Sequence, residues 1–187
     1  KQGLLFTDDN YIDPSAAALM KQDAPIKALC LHVSHDCNLR CQYCFASTGD
    51  FGTGHRMTMD VETAKKAIDF VIQRSGSRRN IEVDFFGGEP LMAMDTVKAT
   101  VDYARSLEEK HGKNFRFTIT TNGVLLNEEN IAYINREMSN AVLSLDGRPE
   151  VNDKMRKTIS GTGSYDVILP KFQKLVEGRG DKDYYLR

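Results

Sequence analysis

The chain alternates between two hydrophobic periods, about two residues and about 3.6, and this alternation restricts the folds open to it. Leu29, Leu31 and Val33 alternate with Cys30 and His32 between Ala28 and Ser34, the pattern of a strand with one covered face. After a cysteine-rich loop, Val61, Ala64, Ile68 and Val71 share one side of a helix. Ile81 to Phe86 reads as a second strand, followed by a Gly-Gly-Glu-Pro turn and a helix carrying Val97, Val101, Ala104 and Leu107. Phe115 to Thr120 is the third strand, closed by Asn122-Gly123. A short helix around Ile131 and Ile134 leads to a fourth strand, Ala141 to Leu145, ending at Asp146-Gly147. A last helix covers Tyr165 to Glu177, where Pro170 removes a backbone donor and is expected to kink the helix or delay its start.

Repeated strand-then-helix units imply an α/β fold with a parallel sheet, either a barrel or an open doubly wound sheet. Both architectures bind ligands at the carboxyl ends of the strands. Every unusual segment here falls at such an end: the cysteine loop, Gly87 to Pro90, Asn122-Gly123 and Ser144 to Gly147. These segments are expected to converge in space.

Cys37, Cys41 and Cys44 lie in one loop as Cys-Asn-Leu-Arg-Cys-Gln-Tyr-Cys, directly after the first strand. Cubane iron–sulfur clusters take four thiolates, so three cysteines would leave one iron open to a small molecule. A structural zinc site with His35 or His55 as fourth ligand is the simpler alternative. Zinc sites usually divide their ligands into two spaced pairs, and no second cysteine pair exists in this sequence. Cys30, on the strand itself, reads as a small buried apolar residue, and the histidines as packing or loop residues.

Composition sets further bounds. With 41% hydrophobic residues and a net charge of −1, the chain reads as a soluble cytoplasmic protein. Its apolar stretches fall well short of the ~20 residues a membrane span needs. Arg78-Arg79 and Lys154 to Lys157 have acidic neighbours, so they describe solvated faces and no nucleic-acid footprint. Singly, Gly87-Gly88 and Asn122-Gly123 are ordinary turn chemistry. Together with the Glu89 carboxylate they outline a pocket for an amino acid, because paired glycines let backbone approach a ligand.

The cysteine spacing with Tyr43 before the third cysteine, followed by Gly87-Gly88-Glu89-Pro90, resembles the radical S-adenosylmethionine (SAM) superfamily. Thr121-Asn122-Gly123, Ser144-Leu145-Asp146-Gly147 and Asn152 to Arg156 resemble the subfamily carrying a SPASM extension with auxiliary clusters. Cys44 to Gly49 and Asp84 to Pro90 are most similar to maturases of SCIFF peptides, which form thioethers in ribosomally made precursors. The resemblance implies the N-terminal part of a partial (β/α)6 TIM-like barrel, with about four βα units and the start of a fifth strand at Tyr184 to Arg187. It implies a [4Fe-4S] cluster on Cys37, Cys41 and Cys44, and SAM cleaved to methionine and a 5′-deoxyadenosyl radical. Tyr43 would contact the adenine side, Gly87, Gly88 and Glu89 the amino group, and Ser144 and Arg156 the ribose and carboxylate. Asn122 would line the same site. For Arg156 the competing account is a solvated arginine in a basic helical segment.

The resemblance further implies a cysteine-rich precursor peptide and a cellular one-electron reductant as partners. On this basis residues 1–25 read as a connector from an upstream leader-peptide domain, and 26–187 as a truncated barrel. The SPASM region and its auxiliary [4Fe-4S] clusters would lie beyond the chain, since all four cysteines precede residue 45. Two other functions compete: an anaerobic sulfatase-maturating enzyme that forms formylglycine, and a zinc-stabilised peptide-binding module.

Overall fold

The structure, a computed structural model, describes residues 24–187. In chain order the strands and α-helices are β1 (Ala28–Ser34), β2 (Leu39–Cys41), α1 (Val61–Arg74), β3 (Asn80–Gly87), α2 (Met94–His111) and β4 (Asn114–Thr121). They continue as α3 (Glu128–Glu137), β5 (Asn140–Leu143), α4 (Pro149–Met155), β6 (Arg156–Thr158), α5 (Tyr165–Glu177) and β7 (Asp183–Leu186). The expected connector over 1–25 falls almost wholly outside the described residues.

The main sheet has five strands in the order β1-β3-β4-β5-β7, and every neighbouring pair is parallel. A doubly wound sheet reverses its order at a switch point, whereas a barrel winds one way. This order follows the chain without reversal, which resolves the two architectures in favour of a partial barrel.

The packing explains the winding. Leu31, Val33, Ile81, Val83, Phe85, Phe117, Ile119 and Leu143 form one face of the sheet and are buried with Ile68, Val97, Val101, Ile134, Ile168 and Phe172 of the helices. Phe117 stacks on Phe85 and Phe115 at centroid distances of 5.7 and 6.0 Å, filling the centre of this layer. Helix ends are capped by the residue types that supply early acceptors: Asp60 takes the Thr63 N–H (2.8 Å) and Asn127 that of Asn130 (2.8 Å). Gly112, with φ of 61°, ends α2 in the left-handed region.

The alternate residues, including Cys30, His32, Asp84, Phe86, Thr118 and Thr120, occupy the concave face. Parallel register aligns Cys30 with Asp84 and Asp84 with Thr118. Cys30 is therefore exposed, contrary to the expectation of a buried residue. Its parity with His32 was legible, but the shared face turns away from the helices.

Other boundaries also differ. β5 ends at Leu143, two residues earlier than expected, and Ser144 and Leu145 then donate to the carbonyls of Thr121 (3.0 Å) and Arg187 (2.7 Å). α5 runs from Tyr165 through Pro170 without interruption, anchored by buried Ile168, Phe172 and Leu175. α4 and the antiparallel ribbon of β2 and β6 were not expected from periodicity, because three-residue strands are too short to show a period. No α-helix among the described residues is long and apolar enough to cross a membrane.

Equilibrium urea unfolding should separate the two faces of the sheet. Phe117→Ala should cost about 3–5 kcal/mol by opening a cavity in the buried layer. Cys30→Ser should stay within about 0.5 kcal/mol, as exposed substitutions usually do.

Candidate active site

The loop after β1 is held to the end of β3 by backbone contact. Gly88 N–H donates to the Ser34 carbonyl (2.7 Å) and Glu89 N–H to the Asp36 carbonyl (2.9 Å). A Cβ on Gly88 would lie 2.2 Å from the Asp36 oxygen, and one on Gly87 2.4 Å from the Ser34 oxygen. The paired glycines are thus required by the approach of β3 to the cysteine loop itself, as well as standing at the rim of the cleft. Gly49 completes the contact from the other side, where a Cβ would meet the Asp36 carbonyl carbon at 2.6 Å.

Glu89 is fully buried and faces inward. Its Oε1 accepts from the Leu91 N–H (3.0 Å) and Thr121 hydroxyl (2.7 Å), and its Oε2 from the Asn122 N–H (2.8 Å). Burial pushes this carboxyl up, opposed by the Asn122, Thr121 and Leu91 donors and by the Arg156 charge. Three of its acceptor positions are committed to the scaffold, which leaves little for a ligand.

Every site residue expected from the sequence lines one cleft of about 280 Å³ at the carboxyl ends of the strands: Cys37, Cys41, Tyr43, Cys44, Gly87, Gly88, Glu89, Asn122, Ser144 and Arg156. Phe45, Phe86, Thr120, Asp146 and Arg187 join them. Donors approach two sulfurs: Leu39 N–H (3.4 Å) and Asn122 Nδ2 (3.7 Å) reach Cys37, while Thr48 N–H (3.3 Å) reaches Cys44. Such donors stabilise thiolate and raise the potential of a cluster bound to it. Burial pushes the Cys37 thiol up to about 11, partly offset by Leu39 N–H and reinforced by Glu89 and the neighbouring thiols. Cys41 is also raised by burial, with Arg156 pulling it down.

Among the described residues, no three His, Cys, Asp or Glu side chains converge as a single-ion site.

Arg156 is not on a solvated helix face. It opens β6, opposite Cys41 in the antiparallel ribbon, and its side chain is only 8% exposed. Nη1 donates to the Tyr43 hydroxyl (2.6 Å), which in turn donates to Asp146 Oδ1 (2.8 Å). Nε of Arg156 is buried without a partner. A guanidinium on the cleft wall suits a small molecule bearing an anionic oxygen. The side chains present therefore suit a thiolate-bound cluster and SAM: three cysteines for the metal and a guanidinium for a carboxylate. Asp146 was read from the sequence only as part of a terminal motif; its bond to Tyr43 spans 103 positions and has no local signature.

Two measurements on the metal-free chain test this arrangement. Glu89→Gln puts an amide among donors and should lower unfolding stability by about 1–3 kcal/mol in urea titrations. With a thiol-alkylating reagent, Cys37 should react slowly at pH 7.5, its rate rising about tenfold per pH unit towards pH 11 as thiolate forms. Cluster assembly should protect Cys37, Cys41 and Cys44 while exposed Cys30 remains reactive; protection of Cys30 in place of any of these three would contradict the ligand set.

The chain is 35% identical over 140 residues to an uncharacterised protein of Methanocaldococcus jannaschii, covering 74% of this chain and 45% of that protein. It is 26% identical over 163 residues to the radical SAM cyclopropyl synthase TigE of Paramaledivibacter caminithermalis, covering 81% and 33%. A cysteine-type anaerobic sulfatase-maturating enzyme of Clostridium novyi is 26% identical over 145 residues, covering 76% and 38%. The chain thus spans less than half the length of each of these relatives. Native anSMEcpe, solved with bound AdoMet and the Cp18Cys peptide, superposes with a TM-score of 0.73 at 21% identity, covering 87% of this chain and 42% of that one, and so shares the fold. The model of the radical SAM superfamily matches residues 31–182, from the first strand to the threshold of the last, and this chain belongs to that superfamily.

Proposed function

We propose that this chain forms the cofactor-binding core of a peptide maturase, in which a SAM-derived radical would take a hydrogen atom from a residue of a cysteine-rich precursor peptide, that carbon would bond to a cysteine sulfur whose proton is lost to solvent, and the remaining electron would pass to an oxidised auxiliary cluster. The observation that carries the reading is the convergence of three loop thiols with a buried, partly unpaired arginine in one cleft. A bound [4Fe-4S] cluster and SAM supply a carbon-centred radical there.

The chain's own residues hold and orient these groups. Cys37, Cys41 and Cys44 ligate the cluster, and Asn122 directs an amide N–H at the Cys37 sulfur. Arg156 takes the SAM carboxylate, with Ser144 on the ribose and Tyr43 beside the adenine. Gly87 and Gly88 offer backbone to the amino group, where Glu89 contributes its remaining acceptor capacity. Phe45 and Phe86, stacked at 6.0 Å, add an apolar flank to the cleft.

The peptide assignment draws support from the Cys44 to Gly49 and Asp84 to Pro90 resemblance and from the peptide bound to anSMEcpe. A SPASM-type region with auxiliary clusters, an upstream leader-docking domain, a one-electron reductant and a cytoplasmic setting complete the proposal. The relative from Clostridium novyi favours a second reading, formylglycine formation on a sulfatase.

The test uses anaerobically reconstituted full-length protein. Alanine at Cys37, Cys41 or Cys44 should abolish SAM cleavage, and Cys30→Ala should preserve it. Thioether formation lowers the peptide mass by two hydrogens and consumes one alkylatable thiol. Formylglycine formation from cysteine exchanges sulfur for oxygen, so its appearance on a sulfatase peptide, with no thioether on any cysteine-rich precursor, would transfer the assignment to the second reading.

A further inference from the structure

We propose that Asp146 is a positioning residue that fixes the Arg156 guanidinium at the wall of the cleft. The inference rests on the reading of Arg156 as the partner of the SAM carboxylate. Three separate segments meet here: Tyr43 lies between two cluster cysteines, Asp146 follows β5, and Arg156 opens β6. Asp146 Oδ1 accepts the Tyr43 hydroxyl at 2.8 Å and stands 3.7 Å from Arg156 Nη1, while that Nη1 donates to the Tyr43 oxygen at 2.6 Å. Nη1 is thereby committed to the scaffold.

The backbone of Asp146 is itself anchored. Its N–H reaches Oδ1 of Asn152 (3.4 Å), a fully buried residue on α4 whose Nδ2 bonds to the buried Ser164 hydroxyl (3.1 Å). The Asp146 carboxylate therefore has a defined place from which to hold the other two groups. With Nη1 tethered, the guanidinium cannot turn to satisfy Nε elsewhere, and Nε remains buried without a partner in a residue that lines the cleft. A free arginine would avoid that cost by rotating. Asp146 also supplies the negative charge that keeps the guanidinium in place when no anionic ligand is bound.

The consequence is a division of labour. Tyr43 links the cluster loop to the cofactor side of the cleft, Arg156 contacts the ligand, and Asp146 acts through both. Loss of Asp146 should loosen Arg156 and weaken SAM binding while the cluster ligands are untouched.

Two readouts test this in the full chain. In the metal-free, 15N-labelled protein, the Arg156 Nε–H resonance, assigned by its loss in Arg156→Ala, should be sharp and slow to exchange. Asp146→Ala should broaden it or accelerate its exchange with water. In the reconstituted protein, the same substitution should weaken SAM about tenfold at unchanged iron content, with Asp146→Asn intermediate because it keeps an acceptor for Tyr43. Added to Arg156→Ala, it should weaken SAM less than a further twofold, since the two act as one unit. If Asp146→Ala compromises folding, Tyr43→Phe removes the same link and should mobilise the Nε–H. An unchanged resonance in both variants, or equal losses of affinity with and without Arg156, would overturn the inference. If Arg156→Ala itself leaves SAM affinity intact, the carboxylate reading fails, and the resonance still decides whether Asp146 fixes the arginine.

Discussion

The buried carboxylate of Glu89 is the interaction on which the site depends. It sits at the end of β3 and draws in donors from the turn that follows it and from the end of β4, locking two adjacent strand ends at one level. Placing a carboxylate in a dry environment is costly unless its oxygens are bonded, and here three donors meet that requirement. The same turn carries Gly88, whose lack of a side chain lets the cysteine loop settle on the strand. Removing either feature would separate the thiol-bearing loop from the strand ends that complete the cleft.

A second layer of order comes from the β2–β6 ribbon. By pairing Cys41 with Arg156, it brings a segment more than a hundred residues downstream against the cysteine loop. The positive charge of Arg156 favours thiolate at Cys41, and Cys41, Tyr43 and Asp146, in that order, together outweigh the burial that works against that charge, leaving its pKa raised. The cysteine loop and the arginine-bearing wall of the cleft are therefore coupled electrostatically as well as sterically. The concave face below the cleft carries polar groups such as Asp84 and Thr118, while the convex face is closed by helices. That asymmetry suits a partial barrel that binds ligands at the carboxyl ends of its strands and is closed outside by helices.

The apolar periodicity of the sequence determined the strand and helix order, because each element must bury one face and the spacing of its apolar residues records which face that is. The cysteine spacing and Gly-Gly-Glu-Pro turn likewise identified the loops of the site, since their chemistry is local. Tertiary structure decided what local pattern cannot encode. Strand order distinguished a barrel from a doubly wound sheet, as both share the same alternation. Cys30 became an exposed residue because parity assigns a residue to a face without saying which face the helices cover. Glu89 became chiefly a structural anchor, Gly88 a point of backbone contact, and Arg156 a buried side chain, because each depends on partners distant in the chain, and only folding sets those distances.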